Sequence, residues 1–97
     1  MAATIINNPV ITADTNSAVK PADMYQVILW NDDHTEAGFV VRCIMQVFKH
    51  DSQLATKIML EAHNNGKAIA EVESQESANL HREQLQSFGL IVTMEKI

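Results

Sequence analysis

"MYQVILWNDDHT", Met24 to Thr35, is the stretch around which this chain organises. Along its first seven residues Tyr25, Val27 and Leu29 point one way, and Met24, Gln26, Ile28 and Trp30 the other. Side chains of an extended backbone leave on alternate faces, so this is a strand with one face for a core. It then empties into a polar loop, Asn31-Asp32-Asp33-His34-Thr35, with two adjacent acids.

Downstream, Thr35 is placed to cap a helix from about Glu36 to His50, with an acid in its first turn. Val40, Cys43, Ile44, Val47 and Phe48 recur at helical spacing, and Phe39, Val41 and Met45 widen that apolar face. Asp51 or Ser52 opens a second helix with the stripe Leu54, Ala55, Ile58, Met59 and Ala62. "NNG", Asn64 to Gly66, ends it as a left-handed cap. "KAIAEVE", Lys67 to Glu73, is a second strand. Ser74 caps a third helix to about Phe88, turning Ala78, His81, Leu85 and Phe88 inward, and Gly89 ends it. "LIVTMEK", Leu90 to Lys96, is the last strand.

The order β-α-α-β-α-β predicts an α+β fold: a two-layer α/β sandwich with a three-stranded sheet and three helices. One helix joins the second and third strands, so they should run parallel. If the first strand lies between them, it is antiparallel to both, with no knot. Upstream, residues 1–23 carry Asn, Thr, Ala, Pro9 and Pro21 with no period, and a flexible N-terminal arm is expected there. Residues 24–97 are the expected folded domain.

Ninety-seven residues suffice for one core. A net charge of −5, with seven scattered basic residues, speaks against nucleic acid and anionic membranes as main partners. Cys43 stands alone in an apolar run, so no internal disulfide or thiolate cluster can form. Neither a signal pattern nor an apolar stretch of bilayer length occurs, and a cytoplasmic monomer is expected.

Met59, Ala62 and His63 stand at i, i+3 and i+4 on the second helix, placing His63 at the polar edge of its apolar stripe. Each of these features has a local account. Asp33 or Thr35 can cap the first helix, and His63 can satisfy the last carbonyls of its own. A metal site from Asp32, Asp33, His34 and His63 lacks ligand spacing such as H-x₃-H. No nucleophile stands beside a base and no glycine-rich phosphate loop occurs, so neither an enzyme nor a cofactor is expected.

Taken together, the motifs identify a family. "YQVILWNDDHT", "ATKIMLEAHNNGKAI" and the closing "TMEK" resemble the ClpS family, adaptors that hand N-degron proteins to Clp-type AAA+ unfoldases. Family members read closely as Y-x-V-I-L-x-N-D-D-x-T and M-L-x-x-H-x-x-G-K-A, and the resemblance covers residues 24–97. It implies binding of a free protein N-terminus whose first residue is large and apolar (the Phe, Tyr, Trp, Leu class). Asn31, Asp33 and His63 would hold the α-amino group, with Asp32 adding charge nearby. The first side chain would enter a pocket of Leu29, Thr35, Ala37, Val40, Met59, Ala62 and Leu90.

The implied fold is the same sandwich, similar to the C-terminal domain of the bacterial ribosomal stalk protein. The implied partner is the N-terminal domain of a Clp AAA+ unfoldase, touched by Glu76 and, further along the third helix, by His81. A docked modulator or inhibitor, or a small metal-dependent enzyme, are the alternative functions.

An α-ammonium is all donor, so it calls for acceptors alone: an amide oxygen, a carboxylate and a neutral imidazole nitrogen. Binding is therefore expected to weaken in acid as His63 charges. Two family positions are truncated here. Many members carry a bulky Met where Ala37 stands, gating out β-branched first residues, and Ala62 replaces the usual Val. Extra volume is expected in the pocket unless Trp30 or a shifted helix fills it.

Overall fold

The computed structural model describes residues 23–97, so the arm expected over residues 1–23 lies, apart from Asp23, outside the described residues. Strand β1 (Met24–Trp30) leads into helix α1 (Ala37–Phe48) and helix α2 (Ser52–Asn65). Strand β2 (Lys67–Ser74), helix α3 (Gln75–Ser87) and strand β3 (Val92–Lys96) follow. The sheet order is β2-β1-β3, with β1 antiparallel to both neighbours. This is the expected α+β sandwich with the first strand in the centre.

The central strand is buried because it is flanked on both sides and covered on one face. Val27 and Leu29 pack with Val40, Cys43, Ile44, Val47, Ala55, Ile58, Ala62, Ala78, Leu85, Leu90 and Val92 in one core. All three helices contribute to that core, α1 with four buried residues, α2 with three and α3 with two. The other sheet face has no helix over it among the described residues. There Trp30, Ile69, Val72 and Ile91 remain exposed.

Local chemistry sets three of the helix boundaries. The Asp51 carboxylate accepts the Leu54 N–H at 2.8 Å and starts α2; Ser74 Oγ accepts the Ser77 N–H at 3.3 Å and starts α3. Each satisfies a helix N–H that has no carbonyl partner. Gly66, at φ 92°, ends α2 and donates its N–H to Ala62 O at 2.9 Å.

Four expectations need correction. Helix α1 begins at Ala37, its cap residue is Glu36 without a side-chain bond, and Thr35 is used elsewhere. With Glu36 outside the helix, its first turn holds no acid. Leu54, expected inside, is 42% exposed, because the first turn of α2 overhangs the edge of β2. Phe88, also expected inside, is 37% exposed, its ring meeting Phe39 edge-on at 6.5 Å.

Both sheet edges are blunted by side chains. Ala70 is skipped in the register, since Val27 faces Glu71 and Ile28 faces Ile69. The carbonyl of this bulged residue accepts a hydrogen bond from His50 Nε2 at 2.9 Å, and Glu71 Oε1 accepts the Val72 N–H at 3.0 Å. On the opposite edge Gln86 Nε2 donates to Val92 O at 2.8 Å. Bulges and occupied edge groups oppose the addition of a further strand.

Candidate functional site

The end of β1, the start of α1 and the end of α2 meet at one place, and a backbone bond ties the first to the last. The Asn31 N–H donates to Gly66 O at 2.9 Å. Gly66 can turn its carbonyl that way because it closes α2 in the left-handed region, where a Cβ is unfavourable. His63 sits in the last turn of the same helix, so ending α2 at Gly66 also brings His63 to Asn31.

The loop between β1 and α1 is latched by Asp32. Its Oδ1 accepts the His34 N–H at 2.8 Å and its Oδ2 accepts the Thr35 hydroxyl at 2.6 Å. These bonds, the hydroxyl's first and the backbone N–H's second, hold the Asp32 carboxyl below its ordinary value of 3.8. Both carboxylate oxygens are thus engaged within the turn. Thr35, expected as a helix cap, is a donor to this latch.

Asn31 Nδ2 donates to Asp33 Oδ1 at 3.2 Å. That contact orients the amide, so its carbonyl oxygen remains an acceptor.

Between these elements lies a hollow of about 50 Å³ that opens to solvent. Leu29, Thr35, Ala37, Val40, Met59, Ala62 and Leu90 line it, together with Asn31, Asp32 and His63. Sequence reasoning grouped all ten. Asp33 does not line the hollow; it stands behind Asn31 as the acceptor of its amide. Trp30, expected only as a possible filler of the pocket, and Ile91, not expected there, line it as well. The available signal was adjacency, since Trp30 directly precedes Asn31 and Ile91 directly follows Leu90; the bond from the Trp30 N–H to Ile91 O at 2.9 Å came only with the fold.

The walls are apolar and largely buried, with Leu29, Val40, Ala62 and Leu90 all in the core cluster. The mouth is polar, with Asn31 and His63 exposed. Such an arrangement can take an apolar side chain inward while holding a hydrogen-bond donor at the rim. Ala37 opens α1 at this mouth with nothing beyond its methyl group. Trp30 does not close the space from above, because its indole N–H is tied to Thr93 Oγ1 at 2.8 Å.

The residues matched to an unfoldase contact lie on α3, away from the hollow. Glu76 is exposed beside Gln75, Asn79 and Met94. His81 is half-buried; its Nδ1–H donates to Glu73 Oε2 at 2.7 Å and its ring meets Phe48 edge-on at 5.1 Å. Among the described residues no three His, Cys, Asp or Glu side chains gather as metal ligands, and no helix is long and apolar enough to cross a membrane.

Comparison with known proteins identifies the family. The family model described as ATP-dependent Clp protease adaptor protein ClpS matches residues 20–93. The ATP-dependent Clp protease adapter protein ClpS of Salmonella arizonae is 38% identical over 89 residues, 86% of this chain and 84% of that protein. The namesake from Cronobacter sakazakii is 45% identical over 65 residues, 67% of this chain and 61% of that one. The structure of Agrobacterium tumefaciens ClpS2 bound to L-phenylalaninamide superposes with a TM-score of 0.75. It is 27% identical and covers 78% of this chain and 99% of its own. A match over residues 20–93 spans all six described elements except the last residues of β3, and the chain belongs to the ClpS family of Clp protease adaptors.

Proposed function

We propose that this protein binds the free N-terminus of protein chains that begin with a large apolar residue and delivers them to a Clp-type AAA+ unfoldase. One observation carries the reading: an apolar hollow whose mouth presents the Asn31 amide and the His63 imidazole. In this role the Asn31 oxygen and a neutral His63 nitrogen accept from the α-ammonium. Asp33 holds the Asn31 amide in position, and Asp32 supplies negative charge from within the latched loop. The first side chain fills the space among Leu29, Ala37, Val40, Met59, Ala62 and Leu90.

L-Phenylalaninamide, the ligand of the solved relative, has both required parts, a free amino group beside an apolar ring. Two modest terms act together. Each charge-assisted hydrogen bond contributes about 1.5–3 kcal/mol. Burying a Leu or Phe side chain adds roughly 1.5–3 kcal/mol. Neither alone outweighs the entropic cost of association, so recognition requires both the charge and the side chain. No covalent bond changes, and the protein acts as a non-catalytic adaptor.

The unfoldase's N-terminal domain docks on α3, where Glu76 is exposed. His81 contributes there through its hold on Glu73 and by setting the helix against Phe48.

The test is fluorescence anisotropy with labelled peptides that differ only at the first residue. Those beginning with Phe, Tyr, Trp or Leu bind, and those beginning with Gly do not. Acetylating the N-terminus removes the charge, leaves the acceptors unpaired and abolishes binding. Equal affinity for free and acetylated Phe peptides would refute the assignment. Delivery is read as faster degradation of a Phe-initiated protein by the unfoldase–protease pair when this chain is added; slower degradation would favour a docked inhibitor.

A further inference from the structure

The mouth of the hollow is bordered by an apolar shelf that the first residue of a bound chain leaves uncovered. Lys67, Trp30 and Ile91 form one row across the three-stranded end of the sheet: Trp30 pairs with Lys67 in register and with Ile91 through its backbone N–H. Trp30 leaves β1 on the face opposite the core residue Leu29, at the end nearest the hollow. Its ring is pinned from two sides, by the 2.8 Å bond from its N–H to Thr93 Oγ1 and by Lys67 Nζ at 5.3 Å from the ring centroid.

The indole has a single polar atom, and Thr93 satisfies it, so what remains outward is apolar ring. Trp30 is nevertheless 37% exposed and Ile91 51%, and both also line the hollow. A fixed aromatic surface costs little further entropy when something lands on it. Trp30 and Ile91 thus border the hollow and also carry exposed apolar surface, with the indole already ordered.

We infer that Trp30 and Ile91 receive the second side chain of the bound chain and favour an apolar residue there. The inference rests on the N-terminal recognition proposed above. With the first side chain in the hollow and the amino group at Asn31 and His63, the second Cα stands only ~3.8 Å further along. It must therefore leave across the rim. Around that rim stand the loop of Asp32, whose carboxylate is occupied by His34 and Thr35, the ends of α1 and α2 with Ala37 and His63, and the shelf, which alone offers a fixed aromatic surface. An apolar second side chain gains buried area on the shelf, and Gly or Ser gains none.

The experiment uses free-amino peptides beginning Phe-Gly, Phe-Ser, Phe-Leu and Phe-Phe, otherwise identical and free of tryptophan. Anisotropy should show the Leu and Phe second residues binding roughly three- to tenfold tighter than Gly, as partial burial of such side chains implies. Trp30 is the only tryptophan of the sequence, so its emission reports the contact directly. Phe-Leu should blue-shift Trp30 and shield it from acrylamide more than Phe-Gly does. In Trp30→Ser and in Ile91→Ser the Leu-to-Gly affinity ratio should fall towards one; the emission readout in the unmodified chain serves should either variant misfold. Equal affinity for all four peptides, or an unchanged ratio in both variants, overturns the inference while leaving N-terminal recognition intact. Failure of every free-amino Phe peptide to bind would instead refute the recognition itself, and the shelf contact with it.

Discussion

Ala37→Met tests the shape of the hollow most directly. Ala37 opens α1 at the mouth, where its methyl is all that faces the cavity shared with Met59 and Leu90. A Val first residue brings three side-chain carbons, worth about 0.8 kcal/mol each if fully buried, or roughly 2.4 kcal/mol in all. The mouth is open, so about half of that is realised, giving Val roughly a five- to tenfold advantage over Gly in the unmodified chain. Methionine adds three heavy atoms at the rim, where a β-branched residue carries its second branch. Crowding of that kind costs about 1–3 kcal/mol, enough to cancel the advantage. Leu and Phe branch one carbon deeper and should change by less than about threefold. Anisotropy titrations of Val-, Ile-, Leu-, Phe- and Gly-initiated peptides against both proteins give the ratios. Val and Ile binding no better than Gly in the unmodified chain, or equally well after Ala37→Met, would refute the open-gate reasoning.

Other outcomes follow from the same geometry. Gly66→Ala meets no atom within 4 Å, so its cost is conformational. A left-handed non-glycine residue loses about 1–2 kcal/mol, to be read as a lower urea midpoint, with weaker peptide binding as Asn31 loses its anchor. Thr35→Val removes the main cause of the low Asp32 pKa, so the carboxyl should titrate closer to 3.8 by carbon-detected NMR. A depressed carboxylate stabilises the folded loop above its ordinary value, and that contribution is lost as pH falls through the lower folded value. The native latch should therefore persist at pH 5 and open only below 3.8, earlier in Thr35→Val; identical titrations would argue against it. Cys43 is buried and burial pushes its thiol up, so a maleimide should label it only on unfolding. Rapid labelling of the native protein would contradict that packing.

Much of the architecture was legible in the chain because its signals are local. Asp51 and Ser74 cap helices through bonds spanning three residues, and Gly66 ends one through its own φ. The alternation of Val27 and Leu29 needs only the pleat of a strand, and the period of Val40, Cys43, Ile44 and Val47 only the pitch of a helix. The family motifs extended this to the site, because Asn31, Asp32, His63 and the seven expected wall residues do line one hollow.

Tertiary structure decided what depends on partners distant in sequence. Thr35 reads as a cap, yet its hydroxyl goes back to Asp32 and α1 begins two residues later, at Ala37. Asp33, expected with Asn31 and His63 to hold the amino group, instead accepts the Asn31 amide N–H and does not line the hollow, whereas Asp32 does. Leu54 follows the helical period but overhangs a sheet edge. The bulge at Ala70 has no signature of its own and exists where His50 holds its carbonyl. The chain by itself determined which elements form and which side chains have the chemistry to hold an amino group, because propensity, capping and hydrogen-bonding capacity belong to each residue and its near neighbours. Which of those side chains share a cavity was settled only by the meeting of β1, α1 and α2, since burial and orientation are properties of the assembled fold.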